Sequence, residues 1–554
     1  MSSRSAAVLI ILLIVLSVGM RLAYVRNTLI VVDEFEHLHA AYLVAQGQAP
    51  YHDFFEHHTP LFYYLAAAVL PMRSPTFETL IYARYLALAF SATTMLLAWW
   101  LVRRAFGRTE ALVVASLLLG NFFLFARGSL SYLDTYAAPL VMLSALCLVA
   151  SRQRPFRCFC SGVALGLAVL VTQKAVVVVF APAVVFLARG WHEWRAPSER
   201  SKWLSDIVAY TVGGFAPAAL LVALLGVRGL GEFFRDNVLL NMAWKARHFP
   251  TKELAVLGIS DGAVYVLAIV GTTAQLWQLL RRALVVADED IPALFLASVG
   301  AGVFLLPVVW EEYFILLVPF AVIVAGVTLT RWARQYLWAD GRFELFGTEV
   351  RKATSGAALA LFSVMLLDLF GRKLAPTNPL SSWAVLAVIG GWFLVLVLIR
   401  MTAAADGYRR AALWLAFFLV FPLAEQADWI QHNSNAEQRQ RIAYVLGHTS
   451  PTDTVFDGYS GYGVFRPHAY RYWFLHEEMQ AMLSEDELGT KVVEALERQQ
   501  TPIVIADQYV TALPDSVRAY IDEHYERTRF PEIRKRKRDA RAADLTPART
   551  TPAS

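Results

Sequence analysis

Long apolar runs separated by short, Arg-rich polar intervals recur over the first 430 residues of the chain. A helix that crosses the hydrocarbon core of a bilayer needs about 20 apolar residues, with a range of roughly 17–25. Runs of that kind predict spanning helices near 6–25, 80–102, 110–127, 134–150, 158–173, 175–189, 205–227, 256–280, 291–309, 313–330, 354–371, 382–399 and 411–429, about 13 spans in all. A further run, Leu61 to Leu70, has about ten residues before Pro71 and is too short to cross on its own. It predicts a re-entrant or interfacial helix.

Loop charge sets the parity, because short cytoplasmic loops gather Lys and Arg. With the N-terminus inside and Leu61 to Leu70 not counted, the inner loops hold Arg103, Arg104 and Arg108, then Arg152, Arg154 and Arg157, then Arg189, Arg195, Arg200 and Lys202. The later ones hold Arg281 and Arg282, then Arg331, Arg334, Arg342, Arg351 and Lys352, then Arg400, Arg409 and Arg410. Counting the short run as a span would move the next three clusters outside. The parity therefore predicts an outer loop over 27–79 and an extracytoplasmic region after residue 431. The first span is expected to be retained, since no small-residue cleavage site follows it.

In the C-terminal region, Ser434 with Glu437 and Ser484 with Glu487 fit the capping box of a helix start. Thr454 to Asp457 and Ile503 to Asp507 read as short buried strands. Residues 432–530 thus predict a small α/β domain, and the basic run from Arg534 to Arg538 with its Ala/Thr/Pro tail predicts disorder over 531–554.

Composition supports the pattern. The chain is 57% apolar and 17% charged, against about 45–50% and about 25% in soluble domains, which makes it a mainly α, polytopic membrane protein. The net charge of +5 lies in Arg clusters between apolar runs, as orientation signals do, and implies no nucleic-acid partner. Cys147, Cys158 and Cys160 lie in or beside apolar stretches and offer no disulfide framework or paired zinc ligands. Gly458, Gly461 and Gly463 open no helix and make no phosphate loop.

Candidate chemistry concentrates in the first outer loop. Asp33, Glu34, Glu36, Asp53 and Glu56 share it with His37, His39, His52, His57 and His58. A helix over Asp33 to Gln46 puts Asp33 and Glu34 in its first turn, where the helix dipole favours carboxylates, and His37 on the face of Asp33. Gly47 and Pro50 then turn the chain back, so the loop folds into a carboxylate-lined platform.

The order Asp33-Glu34, His37, Tyr42, Gly47, Tyr51, Asp53 and His58-Thr59-Pro60-Leu61 resembles the first luminal loop of protein O-mannosyltransferases. Their bacterial relatives include the transferase that places aminoarabinose on lipid A, and all are GT-C glycosyltransferases. Asp33 and Asp53 stand twenty residues apart, as in the family pattern, whereas Thr59 replaces the first Pro of its His-Pro-Pro-Leu-like motif. Asp134 resembles the family's acidic residue at the outer start of the fourth span. Thr172-Gln173-Lys174 is similar to its Thr-Lys-like turn with one residue inserted, and Tyr313-Phe314 to the Tyr-rich start of a late span. The resemblance implies a GT-C membrane bundle with an appended periplasmic α/β domain. It also implies a polyprenyl-phosphate sugar donor and a lipid, glycan or protein acceptor.

Such a transfer needs a base for the acceptor, a cation for the departing phosphate and an apolar groove for the prenyl chain. Asp33 suits the base, with helix capping and acceptor or metal positioning as its other readings, and Glu34 stands beside it. Lys174, His57 and His58 suit the donor phosphate; Asp53, His37 and Asp134 suit acceptor or metal positioning, and a divalent metal ion is an open cofactor. Tyr313, Arg466 and His468 are further candidates, since the aromatic and basic stretch from Tyr459 to His476 is expected to face the first loop. The competing class is a transporter or flippase of a lipid-linked or anionic substrate, which would place its charges nearer the midplane. The expected location is the bacterial inner membrane, with the site facing the periplasm. A topology reporter fused after residue 440 should be active outside the cytoplasm; activity only inside would overturn the parity.

Overall fold

The computed structural model describes residues 3–194, 197–243, 250–306, 309–336, 423 and 426–537. Helix α1 (Ser3–Asn27) is followed by a tight turn into α2 (Val32–Ala45), and the two meet at 74°. Asp33 and Glu34 occupy the first turn of α2, and Gly47, at φ +87, leads the chain away from its end. The helix expected over Asp33 to Gln46 is present to within a residue. The short apolar run forms α3 (Leu61–Val69), which packs against α2.

The bundle continues through α4 (Phe77–Ala105), α5 (Arg108–Gly120), α6 (Phe122–Ala126), α7 (Leu133–Leu148), α8 (Pro155–Val171) and α9 (Phe180–Glu193). Then come α10 (Pro197–Phe233), α11 (Leu240–Ala243), α12 (Thr251–Arg281), α13 (Ile291–Leu305) and α14 (Val318–Tyr336). Most of the described residues of each predicted span up to residue 330 fall on helix, with three corrections, the first being that the span over 313–330 starts in a 3-10 turn, Glu311–Ile315, and enters α14 only at Val318. The span over 110–127 is two helices broken at Asn121, whose side chain turns to cap Leu124 N at 2.8 Å. The span over 175–189 begins as a 3-10 turn, Gln173–Val179. Among the described residues, Phe77–Ala105, Gln173–Trp191 and Pro197–Val227 are each long and apolar enough to cross a membrane. The spans expected at 354–371 and 382–399, and most of 411–429, lie outside the described residues. Helices α8 and α10 approach backbone to backbone: a Cβ on Gly162 would lie 2.1 Å from the Tyr210 carbonyl oxygen, and one on Gly213 2.2 Å from that of Phe159. Small residues at such crossings are how membrane helices gain close packing.

A buried ion pair joins α2 to the bundle. Arg84 of α4 has no exposed surface. Its Nε and Nη2 donate to Glu34 Oε1 and Oε2 at 2.8 and 2.6 Å, and its Nη1 donates to the carbonyls of Val25 and Thr28 at 3.2 and 2.9 Å. A further bond reaches the Leu29 carbonyl. Glu34 also accepts from Ser131 N at 2.9 Å and Val31 N at 3.1 Å.

The C-terminal α/β unit starts with the helix Ala436–Gly447. Its N-cap position is Asn435 rather than the expected Ser434, because Asn435 is drawn to the end of α1: its N donates to Asn27 O at 2.9 Å and its Nδ2 to Arg26 O at 2.8 Å. Ser484 caps its helix as expected. The sheet has the order β1-β2-β4-β3, with β1 (Val455–Asp457) parallel to β2 (Ile503–Ile505), and with β4 (Ile533–Arg536) antiparallel to both β2 and β3 (Tyr525–Arg527). Residues 534–536 of the basic run expected to begin a disordered tail are therefore part of an interior strand. Ile533 fills the core opposite Ile505, and the Arg536 guanidinium lies over the Tyr525 ring. Residues beyond 537 lie outside the described residues.

Removing one partner of a buried pair leaves an uncompensated charge, at a cost of about 3–5 kcal/mol. Arg84→Ala should lower the unfolding temperature of the purified protein in detergent accordingly; an unchanged melting curve would contradict the structural role.

Candidate active site

The anchoring of Glu34 leaves the opposite face of α2 to Asp33 and Glu36, which are three residues apart and share that face. Asp33 is partly exposed and Glu36 is buried. The hydroxyl of Tyr459, from the C-terminal domain, lies 2.9 Å from Asp33 Oδ1 and 3.0 Å from Glu36 Oε2. Burial pushes Asp33 above the usual carboxylate range, opposed by the Tyr459 bond and the Lys174 charge. Burial, with Glu56 and Asp33 nearby, raises Glu36 well above that range.

Behind this pair the loop from Glu56 to Pro60 folds back, as the turn at Gly47 predicts. His57 Nδ1 lies 3.6 Å from Glu36 Oε1 and 3.7 Å from Glu56 Oε1, and His58 Nε2 lies 3.7 Å from Glu36 Oε1. Glu56 Oε1 accepts from His57 N and His58 N at 2.8 and 3.0 Å, and burial pushes its carboxyl up to about 7. Burial holds both imidazoles well below the ordinary histidine range, so they are neutral. His37 is pushed down to about 3 by burial, with its Nδ1 3.5 Å from the Ser131 carbonyl.

Lys174 closes the site from the turn after α8. Its Nζ donates to Asp134 Oδ2 at 3.1 Å and to Glu312 Oε1 at 3.3 Å, and it sits 3.7 Å from the centre of the Tyr313 ring. Burial pushes Glu312 up to about 7 against the pull of Lys174. Gln173, the inserted residue, donates from Nε2 to the His57 carbonyl at 3.1 Å and accepts from Thr59 N at 3.4 Å.

Glu36, Glu56, His57 and His58 each bring one donor atom to within 4.8 Å of the others, a spacing a divalent ion could use. The Gln173 amide tests that reading. Its orientation is set by Thr59 N and the His57 carbonyl, so its NH2 group faces His58 Nδ1 at 3.2 Å. His58 Nδ1 is then the bare nitrogen and Nε2 carries the hydrogen, whereas an Nε2 ligand needs its hydrogen on Nδ1. With Nδ1 so engaged, His58 does not complete a four-ligand set; the imidazole nitrogens stand 3.6–3.7 Å from the Glu36 and Glu56 oxygens, beyond hydrogen-bond distance, and Glu36 Oε1 is buried with no hydrogen-bond partner among the described residues.

The structure brings Asp33, His37, His57, His58, Asp134, Lys174 and Tyr313 together. Glu34 is beside them but both its oxygens are engaged by Arg84 and backbone amides. Asp53 stands at the rim, where its Oδ2 accepts from Ala49 N at 2.7 Å. Arg466 and His468 lie inside the C-terminal domain. Arg466 donates to Thr449 Oγ1 and to the Phe465, Leu446 and Thr449 carbonyls, and His468 bonds the backbone of Tyr470 and Asp457. The expected contact of their stretch with the first loop is made by other residues. Arg471 donates to Tyr51 O at 2.8 Å, Trp473 Nε1 to Phe55 O at 2.8 Å, and the Phe474 ring lies 5.0 Å from that of His57. Glu36, Glu56, Gln173, Glu312 and Tyr459 were not singled out from the sequence as site residues. The i,i+3 spacing of Asp33 and Glu36 was the one local signal available; Tyr459 lies 426 residues from Asp33.

Residues 57–226 match the family model of dolichyl-phosphate-mannose-protein mannosyltransferases. No curated relative matches the chain in sequence. The fold is similar to that of ArnT from Cupriavidus metallidurans, solved bound to undecaprenyl phosphate, with a TM-score of 0.57, 13% identity and coverage of 91% of this chain and 94% of that one. ArnT in the apo state superposes with a TM-score of 0.58, 14% identity and coverage of 92% and 94%. The arabinosyltransferase EmbB from Mycobacterium smegmatis is also similar, with a TM-score of 0.51, 15% identity and coverage of 79% of this chain and 43% of that one. The chain has the GT-C fold.

Proposed function

We propose that the protein moves a sugar from a polyprenyl-phosphate donor to an acceptor at the outer face of the inner membrane, with Asp33 as the base. One observation carries this reading: of the adjacent carboxylates, Glu34 is sealed by Arg84 while Asp33 is open to the site and within the field of Lys174. Asp33 takes the acceptor's proton as the acceptor oxygen bonds to the anomeric carbon, and the bond from that carbon to the phosphate breaks. The leaving group is the polyprenyl phosphate. Lys174, aimed by Asp134, Glu312 and Tyr313, meets its charge, and the neutral imidazoles of His57 and His58 supply N–H donors beside it. The donor class is supported by undecaprenyl phosphate bound to ArnT. Asp53 and His37 serve as rim and support for the acceptor side. Glu34 serves by holding α2, not by touching substrate.

Loss of a positioned base costs about 100- to 10,000-fold in rate. Asp33→Asn should therefore remove the sugar from envelope glycans or glycolipids compared by mass spectrometry in cells with wild-type and variant protein. Wild-type modification by the folded variant would sink the reading. The carboxylate is active when ionised, and its pKa is raised, so transfer should fail on acidification at a higher pH than an ordinary aspartate would give.

A further inference from the structure

Tyr459 has one hydroxyl hydrogen and two carboxyl oxygens within bonding distance, Asp33 Oδ1 at 2.9 Å and Glu36 Oε2 at 3.0 Å. Both contacts are satisfied only when one of the carboxyl groups brings a hydrogen of its own. Glu36 is the buried member and has Glu56, His57 and His58 around it, so the hydrogen belongs there. The order of bonds is then from the Glu36 carboxyl to the Tyr459 oxygen, and from the Tyr459 hydroxyl to Asp33.

The C-terminal domain is built to deliver that hydroxyl. Tyr459 lies in the loop after β1, at the C-terminal edge of the parallel strands. Its N donates to Asp507 Oδ2 at 2.7 Å, and Asp457 accepts from Ser460 N and Gly463 N at 2.8 and 3.1 Å. Gly461, at φ +77, lies flat on α2: a Cβ there would sit 2.1 Å from Cγ of Phe35, the residue between Asp33 and Glu36. A buried aspartate, Asp457, a half-buried one, Asp507, and a glycine thus fix one loop against one turn of α2.

We propose that Tyr459 is a positioning residue of the transferase: it donates to Asp33 Oδ1, accepts from a protonated Glu36, and so keeps Asp33 ionised with Oδ2 left for the acceptor. This rests on the reading of Asp33 as the base. Asp33 is also faced by His476 from the C-terminal domain, by Lys174 after α8, by Glu34 on its own helix, and by Asp134, Glu312, Tyr132 and Tyr313 from the bundle. Tyr459 is neutral and hydrogen-bonds Asp33, so its removal changes the base without changing the charge of the site.

The test uses full-length protein in membranes, with polyprenyl-phosphate sugars extracted from the expressing cells as donor and envelopes of cells lacking the protein as acceptor. Tyr459→Phe should slow transfer at saturating donor by about tenfold or more, the worth of a hydrogen bond to a charged group. It should move the acid limb to higher pH, while half-saturating donor and unfolding temperature stay as in wild type. Glu36→Gln retains a donor for the Tyr459 oxygen and should be about tenfold faster than Glu36→Ala, which has none. Wild-type rate and pH profile in Tyr459→Phe would overturn the proposal. So would a loss of rate accompanied by a lower unfolding temperature, which marks a purely structural residue. Asp33→Asn run in parallel separates the two readings, since its activity bears on the base alone.

Discussion

The buried pair between Glu34 and Arg84 is the constraint on which the site depends. Taking both charges out of water is costly, and the geometry offsets that cost by satisfying nearly every donor and acceptor in the pair: two bonds between the partners, carbonyls of the α1 end on the guanidinium, and backbone amides on the carboxylate. Such a pair adds little net stability and much definition. It allows one angle between α1 and α2 and one rotation of α2 about its axis. Residues one apart on a helix point about 100° apart, so a locked Glu34 turns Asp33 and Glu36 toward the space where His57, His58 and Lys174 converge.

The C-terminal domain is joined to the same corner of the bundle. Asn435 and Gln438 bond the chain at Asn27 and Ile30, and the Arg471 and Trp473 side chains bond the loop at Tyr51 and Phe55. His39, on α2 itself, lies 2.9 Å from the Val464 carbonyl. The first loop is therefore held from two sides: by the bundle through Arg84, and by the C-terminal domain through backbone carbonyls. Loops at the C-terminal edge of parallel strands commonly carry function in α/β units, and here that loop supplies Tyr459.

Electrostatically the site contrasts carboxylates that burial pushes above their ordinary range with imidazoles that burial keeps uncharged. Lys174 is the cation of the inner cluster, and Asp134 and Glu312 aim it.

By itself the sequence determined the kind of fold and several of the residues that the fold gathers around the start of α2. Apolar runs of bilayer length, Arg placed by parity and the density of His and carboxylates in one loop are local properties. They established a mainly α membrane bundle, the helix at Asp33 and the placing of Asp134, Lys174 and Tyr313 at the same end as that helix. The tertiary structure decided which of these groups are engaged by partners and which stay open. Asp33 and Glu34 are neighbours in the chain with equal chemistry; an arginine fifty residues on takes one and leaves the other. The Tyr459 contact, the Gln173 amide that sets the His58 tautomer, and the conversion of a basic tail into β4 likewise depend on partners far along the chain. Periodicity encodes which segments fold and which face is apolar, because that follows from each segment's own burial. A hydrogen-bond partner is selected only when distant segments have packed, and a single polar residue carries no periodic signal of the partner it will meet.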